Sequence, residues 1–182
     1  LIAYAKANPG KLSYASAGIG TPHHLSAELF KSMAGVDIVH VPYKGAVPAV
    51  SDLAAGRVQV MFGIPNSLMP FVKTGQLKAL AVSSPTPSPQ APDIPTKDKA
   101  GVPGFDSSLW IGLTAPIGTP IATIEKINLD IKAAMRDPEV RNSLEAQGLT
   151  PASSTPQEFT ALIKRDAARW SELVNQRQLS AD

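Results

Sequence analysis

The sequence contains no cysteine, which excludes disulfide bonds, thiolate metal sites and a cysteine nucleophile. It also has no long uninterrupted apolar run, so no segment is predicted to span a membrane. A strong charge of one sign is missing as well, because the net charge is +2 and the lysines and arginines are scattered. With aromatic residues at 5%, this pattern argues against a nucleic-acid partner. The 182 residues are enough for one domain or two small lobes around a buried core.

No secretory leader is predicted in this sequence, because Leu1 to Tyr4 is already typical of a structured segment. The helices predicted after Thr119 have strong apolar faces, and no strand is predicted after Ala115 to cover them. Both observations lead us to expect a processed product or a fragment that lacks an N-terminal part.

A turn of small residues that opens directly into a helix is the most informative local pattern, and it spans residues 14–25 (YASAGIGTPHHL). Thr21 is predicted as the helix N-cap and Pro22 as the first helical residue. Gly18 and Gly20 allow the backbone to approach a ligand, and the free N–H groups of a helix start favour an anion such as a carboxylate or phosphate. The turn matches neither a Walker A loop nor the dinucleotide-binding fingerprint. The alternative interpretation is a tight turn without a ligand.

Helices and strands alternate along the first part of the chain. The predicted helices are 1–7, 21–34, 48–55 and 66–73, and the predicted strands are 11–16, 36–41, 58–62, 77–82 and 109–115. This order favours an α/β layer sandwich with a largely parallel sheet, in which ligands bind beyond the carboxyl ends of the strands. Five prolines between residues 84 and 95 predict an extended loop. Three more helices are predicted to begin at Thr119-Pro120, Asp137-Pro138 and Thr155-Pro156, the last with a capping box.

The polar side chains near the predicted turn suit binding better than catalysis. On a helix, His23 and His24 point about 100° apart, so no metal site is expected. Ser16 has no evident base beside it and is interpreted as a hydrogen-bond donor. Tyr43 and Gly63 follow two other strands and are expected at the same edge of the sheet. No catalytic residue, metal or cofactor is therefore predicted.

Eight segments carry a family resemblance: 17–25 (AGIGTPHHL), 40–45 (HVPYKG), 52–62 (DLAAGRVQVMF), 77–82 (LKALAV), 92–96 (PDIPT), 110–116 (WIGLTAP), 118–120 (GTP) and the terminal helix 159–170. In this order they resemble the extracytoplasmic solute receptors of tripartite tricarboxylate transporters, often called Bug proteins. The resemblance covers nearly the whole chain, and so many collinear segments make it specific.

The resemblance implies an incomplete type II periplasmic-binding-protein fold. Residues 1–108 would form the α/β ligand-binding lobe two, and residues 109–182 a crossing strand and C-terminal helices that belong to lobe one. It also implies a periplasmic protein whose signal peptide and first half-lobe lie in the absent part. The implied function is to capture a small carboxylate and deliver it to membrane transporter subunits. The alternatives are an enzyme or an effector-sensing domain that binds a small acidic ligand, and turnover of a carboxylate would identify the enzyme.

The family's ligand loop falls on residues 16–21, where the turn chemistry also points. The predicted ligand-binding residues are Ser16, Ala17, Gly18, Gly20, Thr21, His24, Tyr43 and Gly63. The family commonly has an acid where Gly63 stands, which puts a side-chain contact there in doubt. An apolar face is also expected to make the truncated chain self-associate, and it comprises Ile124, Ile127, Ile131, Phe159 and Ile163.

Overall fold

The computed structural model describes residues 1–84 and 91–179, in which helices alternate with short strands and then follow one another. The elements are α1 (Ile2–Ala7), β1 (Ser13–Ser16), α2 (Pro22–Ala34), β2 (Val39–Pro42), α3 (Ala46–Ala54), β3 (Val60–Met61), α4 (Pro65–Lys73), α5 (Ile121–Ala134), α6 (Pro138–Ala146) and α7 (Pro156–Arg177). Half of the predicted proline-rich loop, residues 85–90, lies outside the described residues. Within the described ranges, no helix combines the length and apolarity needed to cross a bilayer.

The chain divides into two compact units. The first comprises Leu1–Leu109 together with the segment that begins at Leu173, and the second comprises Trp110–Glu172. The first unit therefore contains the sheet and the last turns of α7, whereas the second contains α5, α6 and most of α7. The assignment of residues 1–108 and 109–182 to two receptor lobes stays a prediction.

The first unit is built on a parallel sheet with the strand order β2–β1–β3. Tyr14 of the central strand pairs with His40 on one side and with Val60 on the other. Because all three strands run in the same direction, their carboxyl ends lie at one edge. The predicted parallel α/β architecture is confirmed for this unit.

Alternation along β1 separates two apolar cores, because successive side chains of a strand point to opposite faces. Tyr14 packs in the larger core with Ala27 and Phe30 of α2. Ala15 packs in the smaller core with Ala49 of α3. The sheet is therefore covered by α2 on one face and by α3 on the other.

Helix α2 has the boundaries that its sequence signals predict. Pro22 is its first residue and Thr21 occupies the N-cap position. Gly35 ends it in the left-handed conformation with φ 60°, and the Gly35 N–H donates to the Lys31 carbonyl. A glycine adopts this conformation without the steric cost that a Cβ atom adds. The prediction of this helix is confirmed at both ends.

Two predicted strands are wrong. Residues 77–82 form no strand, because the backbone of Val82 pairs with Pro95 and Lys97 rather than with β3. Residues 109–115 are also without strand structure, and Leu109, Ile111 and Leu113 are exposed. A β-branched or apolar run becomes a strand only where a neighbour accepts its backbone hydrogen bonds. The crossing strand expected near Trp110 is therefore not seen within the described ranges.

The second unit is helical and its helix starts are capped as predicted in two of three cases. The Asp137 carboxylate accepts hydrogen bonds from the first turn of α6. Thr155 and Glu158 exchange the two hydrogen bonds of a capping box at the start of α7. At α5, in contrast, Pro120 holds the N-cap position and the Thr119 hydroxyl donates to the Pro116 carbonyl. The Trp110 indole N–H donates to Asp166 at 2.6 Å and holds the entering segment on α7.

We expect the 182-residue chain to self-associate through exposed apolar residues of α5. Ile121 and Leu129 are 74% and 65% exposed, and Ile127 is 45% exposed. The other four members of the predicted face are partly buried instead: Ile124, Ile131, Phe159 and Ile163. Light scattering at about 50 µM, a range in which exposed apolar surfaces associate, should give a mass above that of the monomer. The double variant Ile121→Lys, Leu129→Lys should lower that mass, and a monomeric unsubstituted chain would contradict the expectation.

Candidate ligand-binding site

The site predicted from the sequence lies at the carboxyl edge of the sheet, where the loop after β1 (residues 17–21, the glycine loop) meets the loop after β2. The Tyr43 N–H donates to the Ser16 carbonyl at 3.0 Å, and the Gly45 N–H donates to the Ala17 carbonyl at 3.2 Å. A Cβ atom on Gly18 would lie 3.6 Å from the Tyr43 carbonyl. The two loops are therefore joined by their backbones, and together they form a continuous rim.

The glycine loop has a backbone that glycine adopts more readily than other residues. Gly18 has φ 135° and Gly20 has φ 74°, both in the range that a Cβ atom disfavours. No atom lies within 4 Å of the position of a Cβ on Gly20. Gly20 is exposed and leaves open space beside the start of α2. The backbone of the loop can therefore be approached closely from outside.

Thr21 occupies the predicted N-cap position, but its hydroxyl does not cap α2. That hydroxyl donates to the Gly18 carbonyl at 2.6 Å, and no side chain accepts from the first turn of the helix. The N–H groups of His23 and His24, at the second and third helical positions, have no partner within a helix by geometry. The helix start without a side-chain cap therefore keeps donors for an outside acceptor, although Thr21 holds the predicted N-cap position.

Ser16 is fully buried, and its surroundings differ from the sequence-based interpretation. The Ser16 hydroxyl lies 2.7 Å from His40 Nε2 and accepts the Gly18 N–H at 3.2 Å. The sequence analysis expected no base beside this serine, and that expectation is wrong because His40 lies there. Burial, and then the neighbouring His24, lower the pKa of His40 to about 4, so this ring is a weak base at neutral pH. A buried serine beside a weak base suits a hydrogen-bonding role rather than a nucleophilic one.

His24 faces the protein interior rather than the surface. It is 4% exposed, and its Nδ1 atom accepts the Gly20 N–H at 3.1 Å. Its ring stacks on that of His40 with 4.1 Å between centroids, and the His40 ring stacks on Tyr14 at 4.7 Å. Burial lowers the pKa of His24, which keeps Nδ1 free to accept. Side-chain contact between His24 and a ligand has no support in this geometry.

Tyr43 and Gly63 occupy the two neighbouring strand ends. The Tyr43 hydroxyl donates to Asp52 at 2.9 Å, and Arg57 pairs with the same carboxylate. The Tyr43 side chain therefore points along α3, and its backbone forms the rim. Gly63 is exposed two residues after β3, and a Cβ added there would come within 2.9 Å of the Leu68 side chain.

A buried charged cluster below the glycine loop was missed in the sequence. Glu28 of α2 accepts the Tyr14 hydroxyl at 2.7 Å and pairs with Lys31 at 2.7 Å and with Arg177 at 3.0 Å. Burial alone would raise the pKa of Glu28, but hydrogen bonds from Lys31 and Tyr14 hold it below its ordinary value. Burial and the Glu28 hydrogen bond raise the pKa of Tyr14. The positions of Glu28, Lys31 and His24 on one helix face were the available signal.

No charged side chain lies between residues 16 and 24, so attraction of an anion there depends on backbone dipoles. Across residues 1–84 and 91–179, no three histidine or acidic side chains come together as metal ligands. The geometry provides an exposed glycine backbone, an uncapped helix start and a rim of three loops. Such an edge of a parallel sheet is where small ligands bind in α/β proteins.

Sequence comparison with known proteins shows which family this chain is similar to. Residues 1–179 match the model of TctC, described as "Tripartite tricarboxylate transporter family receptor". A relative from Pseudomonas sp. strain P51, "UPF0065 protein in tcbD-tcbE intergenic region", is 40% identical over 183 residues, which cover 100% of this chain and 54% of that protein. The chain therefore spans about half the length of this curated relative.

Two solved structures share the fold. "R. palustris Rpa4515 with adipate" matches with a TM-score of 0.86 and 33% identity, covering 98% of this chain and 60% of that one. "MatC (Rpa3494) from Rhodopseudomonas palustris with bound malate" matches with a TM-score of 0.78 and 31% identity, covering 95% of this chain and 60% of that one. These matches confirm the partial type II periplasmic-binding-protein fold. The chain belongs to the receptor family of tripartite tricarboxylate transporters.

Proposed function

We propose that this chain is the part of a periplasmic receptor that captures a small dicarboxylate at the glycine loop and the start of α2. The receptor would deliver the bound dicarboxylate to the membrane subunits of a tripartite tricarboxylate transporter. The single observation that carries the proposal is the uncapped start of α2 next to an exposed, glycine-lined backbone. Two members of the same fold with bound dicarboxylates, adipate and malate, support the ligand class.

The chemistry of this edge favours a carboxylate over a neutral group. Two N–H groups of a helix start can donate to one carboxylate, and the helix dipole adds to the attraction. An amide of the same shape presents one oxygen acceptor without a charge and adds N–H donors that meet other donors. Recognition through N–H groups therefore discriminates the acid from its amide.

We expect adipate and malate to raise the midpoint of thermal unfolding of this chain, and the diamide of adipic acid to leave it unchanged. A ligand at about 100 times its Kd stabilises the folded state by about 2.7 kcal/mol. Differential scanning fluorimetry at pH 7.5 measures the shift, and calorimetry measures the affinity. Equal stabilisation by the acid and its diamide would contradict recognition through the helix start. No stabilisation by any dicarboxylate would contradict the proposed function itself.

A further inference from the structure

A stack of three rings lies directly under the glycine loop. Tyr14 and His40 are paired residues of β1 and β2, and their rings are 4.7 Å apart with 13° between planes. His24 of α2 continues the stack, 4.1 Å from His40 with 8° between planes. The strands β1 and β2 and the helix α2 thus contribute one ring each. The His40 ring lies between the other two and contacts both.

Each histidine of this stack holds one part of the loop through a nitrogen atom. His24 Nδ1 accepts the Gly20 N–H at 3.1 Å. His40 Nε2 lies 2.7 Å from the Ser16 hydroxyl, which in turn accepts the Gly18 N–H at 3.2 Å. Gly20 is therefore hydrogen-bonded directly to one ring, and Gly18 is linked through the Ser16 hydroxyl to the ring stacked on it.

We propose that His24 and His40 are positioning residues that hold the glycine loop in its ligand-accepting conformation without touching the ligand. This inference rests on the proposed function, because the loop is the proposed carboxylate site. The Gly20 N–H points inward to His24, so the donors left for a carboxylate are those of the helix start. A ring lost from the stack would release the loop and disorder these donors.

The positioning role requires a neutral His24, because Nδ1 cannot accept a hydrogen bond once it carries a proton. The charged groups beside the two histidines are Glu28 and Lys31 of α2, and Arg177 of α7 pairs with Glu28. Tyr14 of β1 is the titratable ring stacked on His40. Glu28 favours protonated rings, but Lys31 and Arg177 already neutralise it. Burial opposes protonation and lowers the pKa of both histidines.

Acidification should therefore destabilise the protein through the two rings. In the unfolded chain, a histidine takes up its proton near pH 6.5, whereas folded His40 does so near pH 4. The stabilising contribution is complete above pH 6.5 and is lost as the pH falls toward 4. We expect the urea midpoint to fall between pH 6.5 and 5, and to fall less in the double variant His24→Asn, His40→Gln. An equal fall of the urea midpoint in the unsubstituted chain and in the double variant would show that the two histidines do not cause the pH dependence.

Nuclear magnetic resonance on the whole chain tests the positioning directly. At pH 7.5, long-range proton–nitrogen spectra should show the His24 proton on Nε2, because Nδ1 is the acceptor. On acidification without ligand, the Gly20 amide signal should move with the titration of His24, whereas the Gly56 amide, which donates to the Leu53 carbonyl, should not. A proton on His24 Nδ1 at pH 7.5 would overturn the proposal without any variant.

Calorimetry with adipate at pH 7.5 supplies the binding test. His24→Leu should weaken adipate binding about tenfold, which is about 1.4 kcal/mol. His24→Asn, whose side-chain oxygen can replace the Nδ1 acceptor, should recover most of that loss. If His24→Leu binds adipate as the unsubstituted chain does, the positioning role is overturned and the proposed function stands. If the unsubstituted chain binds no dicarboxylate, the proposed function fails, and the assigned role in binding fails with it.

Discussion

Replacement of Glu28 by alanine should destabilise the first unit by about 3 kcal/mol or more, because it removes one partner of a buried charge cluster. The carboxylate of Glu28 is 4% exposed and accepts from Tyr14, Lys31 and Arg177. Without it, the Tyr14 hydroxyl loses its acceptor and two cations remain close together. Urea denaturation at pH 7.5, followed by circular dichroism, measures the change in the free energy of unfolding.

The matched control for Glu28 is the exposed ion pair of α5. Lys126 and Asp130 lie 2.9 Å apart with side chains that are 76% and 65% exposed. Asp130→Ala should cost about 0.5 kcal/mol or less, because exposed pairs are screened by water and salt. A cost for Glu28→Ala as small as that of Asp130→Ala would show that the buried cluster contributes no net stability.

Gly20→Val should weaken adipate binding about tenfold or more, provided that the proposed function holds. A valine at φ 74° is strained by about 1–2 kcal/mol, and its branched side chain would fill the open space beside the start of α2. The substitution therefore blocks the approach of a ligand to the backbone in addition to straining the loop. Calorimetry with adipate measures the affinity, and urea denaturation measures the strain.

Gly56→Val separates these two effects. Gly56 has the same φ of 74°, and its Cβ position is equally free of neighbours, but it lies after α3 and before β3. We expect Gly56→Val to lose as much stability as Gly20→Val and to bind adipate normally. If both variants bound adipate normally, the ligand would lie elsewhere than at the glycine loop.

The start of α2 and the turn before it were predictable because their signals are local. Threonine followed by proline begins a helix, and a glycine that adopts positive φ ends it, without help from distant residues. Thr21, Pro22 and Gly35 stand where these rules place them. The rules fix where the helix begins, but they do not decide which acceptor the Thr21 hydroxyl finds.

The errors concern features that depend on a partner. Residues 77–82 and 109–115 have strand-like composition, yet strand formation needs a neighbouring backbone that the composition does not describe. The Glu28–Arg177 pair joins residues 149 positions apart, and the contact between Ser16 and His40 crosses from one strand to the next. The first contact depends on how α7 returns to α2, and the second on the pairing of β1 with β2; periodicity alone gives neither.

The strand order β2–β1–β3 has a consequence for how such a receptor can diversify. The connection through α2 leaves the central strand in one direction, and the connection through α3 returns across it in the other. In open α/β sheets, such a reversal of the connections marks the edge at which ligands bind. Neither apolar core includes a residue of the glycine loop, so this loop can change in sequence while the packing stays intact. If the glycine loop binds the ligand as proposed, a lineage would change its ligand by altering loop residues while inheriting the core unchanged.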